Sequence, residues 1–133
     1  MKYLGIDYGV RRVGLATADS DALLASPLKT VSPEELVPFV KDTGPYDQII
    51  IGLPRSLDGH DTAQTLAVRH FADDVLWRRL KVEPVFQDEA GTSSLAEEQL
   101  KEAGKEYTKG DIDALAATII LQDYLDTLDG PSD

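Results

Sequence analysis

Apolar positions along this chain fall into short unbroken runs and longer stretches with helical spacing. Tyr3-Leu4-Gly5-Ile6 and Val13-Gly14-Leu15-Ala16 flank the turn residues Gly9-Val10-Arg11, so residues 3–8 and 12–19 read as a β-hairpin. Leu28-Lys29-Thr30-Val31 reads as a third strand. Gln48-Ile49-Ile50-Ile51-Gly52-Leu53 is a continuous run that suits a strand buried on both faces. Val82 to Gln87 supplies a fifth strand, ended by Asp88-Glu89-Ala90-Gly91. Ser32 with Pro33 and Glu35 predicts a capped helix running to about Lys41, before the breaker Gly44-Pro45. A long helix is expected from about Asp61 to Leu80, because Val68, Phe71, Ala72, Val75 and Leu76 form one apolar stripe. Ser94 and Glu97 have capping-box spacing, which predicts a helix to about Ala103. A final helix from about Asp111 to Leu128 carries Ile112, Leu115, Ala116, Ile119 and Ile120 on one stripe. The order βββ-α-β-α-β-α-α implies an α/β fold, an antiparallel meander followed by βα units in a mixed sheet flanked by helices.

The 133 residues suffice for one domain with a real core, and no repeat or internal linker interrupts them. An acidic tail, expected to be flexible, begins at about residue 129. The chain has no cysteine, which removes disulfides and thiolate-metal sites and fits a reducing compartment. No apolar run approaches the ~20 residues that cross a bilayer, and the N-terminus enters a strand pattern directly. A cytoplasmic protein with no membrane partner is expected. The formal net charge of −11 opposes nucleic-acid binding through overall charge, since phosphate affinity comes from basic surface. Distribution matters more than the sum: Asp123, Asp126, Asp129 and Asp133 belong to the last helix or tail, whereas Arg11, Arg12, Arg55 and Lys109 fall near the candidate site.

Three acidic positions invite chemistry. Asp7 lies near the end of the first strand, Asp88-Glu89 at the end of the last, and Asp113 in the first turn of the final helix. A lone carboxylate among strand side chains is costly to bury unless its charge is compensated. Each acid also has a plain structural reading: a turn former, a solvated loop, an acid favouring the helix dipole. At roughly 100° per residue, Asp113 falls at the margin of the apolar stripe beside Ala117 and Ile120, and Asp111 at the opposite margin. Carboxylates from separate elements are what Mg2+ or Mn2+ requires, and two such ions about 4 Å apart serve phosphodiester hydrolysis. Arg12 and Arg55 suit either a phosphate or a surface acid; Lys109 and Thr92 are weaker candidates for the same contact. Gly9 makes the turn or admits a phosphate, and Tyr8 has the shape to stack on a base. Trp77 and Phe71 read as packing residues, and His60 and His70 do not read as a metal pair.

These pieces together resemble the YqgF/RuvX family, described as Holliday junction resolvases and as pre-16S rRNA nucleases. The resemblance rests on Gly5-Ile6-Asp7-Tyr8-Gly9 with Arg12-Val13-Gly14-Leu15-Ala16, on Ile50-Ile51-Gly52-Leu53-Pro54 with Asp58-Gly59, on Asp88-Glu89, and on Lys109-Gly110-Asp111-Ile112-Asp113 with Ala114 to Leu121. It covers nearly the whole chain. It implies an RNase H-like fold with a five-stranded mixed sheet, and metal-dependent cleavage by Asp7, Glu89 and Asp113. It implies 5′-end maturation of small-subunit rRNA or resolution of branched DNA. Ala90 departs from the family's common Arg, removing an expected basic contact. Alternatives are a phosphotransferase of the actin/sugar-kinase type, for which 133 residues supply only one of two domains, and a non-catalytic module for ribosome assembly. The sequence does not decide between RNA and DNA. An exposed helix face would serve a homodimer, as junction resolution requires.

Overall fold

The computed structural model describes residues 1–19, 21–89 and 91–128, so Ala90 and the expected tail lie outside the described residues. Five strands form one sheet in the order β3-β2-β1-β4-β5. They are β1 (Lys2–Tyr8), β2 (Val13–Asp19), β3 (Ser26–Val31), β4 (Gln48–Pro54) and β5 (Val85–Glu89). β1, β2 and β3 pair antiparallel as the meander requires, while β4 and β5 join in parallel. The helices are α1 (Pro33–Thr43), α2 (Ala63–Phe71), α3 (Thr92–Glu102) and α4 (Lys109–Leu128). No described helix is long and apolar enough to cross a membrane.

The strand period of two sorts the core into two layers. On one face Leu4, Ile6, Val13, Leu15, Ile49, Ile51 and Leu53 pack under α1 and α2, which contribute Leu36, Val40, Val68 and Phe71. On the other face Tyr3, Ala16, Ala18 and Ile50 meet Ala117, Ile120, Leu121 and Leu125 of α4. β4 is thus covered on both sides, as its unbroken apolar run predicts. α1 begins at the expected capping box: Ser32 Oγ accepts from Glu35 N at 3.3 Å, and Glu35 Oε1 accepts from Ser32 N at 3.0 Å.

Four predicted elements differ in ways that bear on the site. The helix expected over 61–80 starts after Thr62, whose side chain caps it with Thr65. It then widens into a π-helical segment over Ala72–Trp77, with Leu80 N donating to Val75 O. An apolar stripe of period 3.6 does not register that widening, and Trp77 emerges 52% exposed rather than packed. The last strand is Val85–Glu89 rather than 82–87, which places both acids within it. α3 starts at Thr92 behind a left-handed Gly91, so Ser94 is not its cap.

The fourth difference concerns α4. The residues buried against the sheet are Ala116, Ala117, Ile120, Leu121 and Leu125, a row rotated from the expected stripe. Ile112, Leu115 and Ile119 are half-buried on the helix that α3 packs against. Small residues decide which flank meets the sheet. A Cβ on Gly5 would lie 2.7 Å from Leu121 Cβ, one on Gly52 2.5 Å from Ile120 Cδ1, and one on Gly14 2.0 Å from the Asp113 carbonyl oxygen. α4 therefore lies against bare backbone on β1, β2 and β4. This close seat carries Asp113, one turn before Ala116 and Ala117, onto the row that faces the sheet.

Gly14→Ala tests that seat. The added methyl must displace α4 backbone, so a loss of ~3 kcal/mol or more is expected in denaturant unfolding. Gly110→Ala, whose Cβ would meet nothing closer than 3.5 Å, should cost little or stabilise.

Candidate active site

Alternation along β1 turns Leu4 and Ile6 toward α1 and α2, and turns Tyr3, Gly5 and Asp7 toward α4. Asp7 pairs with Gly14 across the hairpin, so the missing side chain at Gly14 clears space beside its carboxylate. Glu89 closes β5 opposite Pro54 of β4. A Cβ on Gly52 would stand 3.3 Å from Glu89 Cγ, so the Glu89 side chain lies across that glycine. β1, β5 and α4 each deliver one acid, and Asp7, Glu89 and Asp113 line one cleft of about 390 Å³ with Gly9, Arg12 and Gln64.

Burial pushes the Asp7 carboxyl up from its ordinary 3.8 to about 7, and the charges of Glu89 and Asp113 add to the shift. Neither Asp7 nor Glu89 has a side-chain ion pair among the described residues. Asp113 does: its Oδ2 accepts from Arg12 Nε at 2.5 Å. Among the described residues no three acidic or histidine side chains already stand in metal-holding geometry. The donor chemistry nevertheless fits a hard divalent cation: three carboxylates from separate elements line one cleft, and two of them have no side-chain ion pair among the described residues.

The other candidates divide. Asp88 and Arg55 sit apart from the acid cleft, with Arg55 Nε 3.2 Å from Asp88 Oδ1 and Nη1 2.9 Å from Asp61 Oδ1. Lys109 opens α4 and lines an adjoining cleft with Arg12, Ser93, Ser94 and Asp113. Gly9 donates its N–H to the Arg12 carbonyl at 2.9 Å, closing the hairpin turn at the cleft's edge. Tyr8 borders the cleft, but its ring stacks on Phe71 with centroids 4.1 Å apart. Thr92 is buried at the start of α3. His60 stands 3.6 Å from Asp58 on an exposed loop.

Sequence reasoning missed four contributors. Gly14 and Gly52 make room for the acids, and their signal, a glycine inside a strand, was legible. Gln64 and Ser93 line the cleft, with Gln64 Nε2 donating to the Tyr8 carbonyl at 3.3 Å. They carry no local pattern, since each is a polar residue in a first helical turn.

The raised Asp7 pKa has a consequence for stability. Between about 4 and 7 the folded protein holds a proton that the unfolded chain has released, so stability falls as pH rises through this window. Asp7→Asn removes the cost of charging the site. In chelator it should raise the unfolding free energy above pH 7 by on the order of a few kcal/mol, read by denaturant unfolding, with the gain shrinking toward pH 4. Equal gains at both pH values would contradict the assignment.

The chain matches the family model described as "RuvX: Holliday junction resolvase" over residues 1–127. It is 42% identical to a protein of Maridesulfovibrio salexigens named "Putative pre-16S rRNA nuclease", over 94% of this chain and 98% of that one. A Chloroflexus aurantiacus protein of the same name is 39% identical over 92% of this chain and 85% of its own. Among solved structures, T. thermophilus RuvC in complex with Holliday junction substrate superposes with a TM-score of 0.53 at 18% identity, covering 98% and 97% of the two chains. The Fowlpox virus resolvase in complex with Holliday junction DNA gives 0.54 at 13%, covering 96% and 99%. At these identities the structural likeness speaks for the fold, which is RNase H-like. The family match and the identity with these relatives make this chain a member of the RuvX family of nucleases.

Proposed function

We propose that this protein is a divalent-cation-dependent endonuclease acting on structured nucleic acid, with Asp7, Glu89 and Asp113 as the ion-binding acids. The observation that carries the reading is their convergence from β1, β5 and α4 on one cleft, with Asp7 half-buried and without a side-chain ion pair among the described residues. Burying such a carboxylate costs stability, and a bound cation offsets that cost. Mg2+ or Mn2+ held there, as one ion or a pair, would acidify an attacking water and stabilise charge on the phosphate. Asp7 and Glu89 would supply the floor of the cleft from β1 and β5, with β4 between them. Asp113 closes it from α4. Arg12 and Lys109 border it and the adjoining cleft, and supply the donors for a phosphate backbone. Arg55 would reach a phosphate only by leaving Asp61 and Asp88.

The substrate we favour is the precursor of small-subunit rRNA, on the names of relatives up to 42% identical, with a cytoplasmic site of action. Branched DNA is the second reading, favoured by the family's description and the junction-bound neighbours, and would call for a homodimer. A non-catalytic binding role is favoured by one feature alone: Asp113 is paired with Arg12 rather than turned to a common ion site.

Side-by-side cleavage of precursor rRNA and a four-way DNA junction, in Mn2+, Mg2+ or chelator, separates these readings. Cleavage is expected only with the metals. Asp7→Asn should fold normally and lose ~1,000-fold or more in rate. Undiminished cleavage by the pure variant would end the assignment.

A further inference from the structure

Arg12 stands where two clefts meet. It lines the acid cleft with Asp7 and Glu89, and the adjoining cleft with Lys109, Ser93 and Ser94. Asp113 lines both as well, and the 2.5 Å Arg12–Asp113 pair is the partition between them. The two partners differ in freedom. The Asp113 backbone is pinned, because its carbonyl fills the space left by Gly14. Its carboxylate is only 17% exposed, whereas the Arg12 side chain is 42% exposed and hangs from the hairpin turn. What remains adjustable at Asp113 is the side-chain torsion, and what holds that torsion is the guanidinium.

We infer that Arg12 is a positioning residue that holds Asp113 when no cation is bound and is displaced when a divalent cation takes that carboxylate, so that one ion entering frees one guanidinium for a phosphate. The inference rests on the acid-cluster reading given under Proposed function. Charge balance supports it. With Arg12 on Asp113, Asp7 and Glu89 still repel each other, so a cation has reason to enter. Once it holds Asp113, Arg12 faces Lys109, Ser93 and Ser94 across the adjoining cleft, a set of donors suited to a backbone phosphate. The −11 chain would then present its local positive rim mainly when the ion is in place.

The test is a double-mutant cycle on Mn2+ affinity, read by calorimetry on the full chain without substrate. Arg12→Gln should tighten Mn2+ binding about three- to tenfold, because the competitor is gone. In an Asp113→Asn background the same substitution should change affinity less than about twofold. Arg11→Gln lines the same cleft without pairing to Asp113 and controls for general charge repulsion. An Arg12 effect that persists in Asp113→Asn, or equals that of Arg11→Gln, overturns the inference while leaving the acid cluster standing. If neither Asp7→Asn nor Asp113→Asn weakens Mn2+, the acid-cluster reading falls and takes this inference with it. In the unmodified protein, the Arg12 Nε–H resonance should move as Mg2+ is titrated, and an unmoved resonance at saturating Mg2+ overturns it. Affinity for a 2′-O-methyl RNA oligonucleotide should rise with Mg2+ in the native chain and lose that rise in Arg12→Gln; an unchanged Mg2+ response overturns the phosphate half.

Discussion

The close seat of α4 on glycine backbone is the contact on which this architecture turns. Three strands present a glycine to one helix, and at each a side chain would collide. Dispersion at such short range is strong because many atoms meet at once, and an added methyl would strike α4 backbone at Gly14 and α4 side chains at Gly5 and Gly52. Two cores then form on opposite faces of one sheet. The same contact sets the site. Without it, Asp113 would ride higher over the sheet, away from Asp7. The glycines thus serve packing and chemistry together, one clearing the way for the Asp113 backbone and another for the Glu89 side chain.

Electrostatics runs against this packing. Asp7 is charged only at an energetic cost in its half-buried position, and two further acids raise that cost. Several other acids sit where they are cheap: Glu35 in a capping box, Asp111 accepting from the Thr108 N–H, Asp61 and Asp88 on Arg55. The contrast separates the Asp7 cluster from the chain's general acidity. That cost, at acids drawn from two strands and α4, is what the proposed cation site rests on.

Positive charge is similarly selective. Of the arginines first grouped near the site, Arg55 is engaged by two carboxylates and Arg12 by one. Arg12 and Lys109 border the clefts beside the acids, which gives an acidic molecule a small basic rim. Tyr8 shows the opposite fate. Beside Asp7 it has the shape to stack on a base, but its ring is already stacked on Phe71.

Much of this was written in the sequence. Strand runs, the Ser32–Glu35 cap and the βββ-α-β-α-β-α-α order depend on near neighbours, and local backbone chemistry expresses them wherever they occur. The acids Asp7, Glu89 and Asp113 were legible as residues out of keeping with their surroundings. Tertiary structure decided what depends on remote partners. The turn of α4 was settled by glycines more than fifty residues away, because an apolar stripe cannot say which flank will find bare backbone. The π-helical widening after Phe71 left no mark on the apolar periodicity. The pairing of Arg12 with Asp113 joins residues 101 positions apart, and only folding brings their charges within reach.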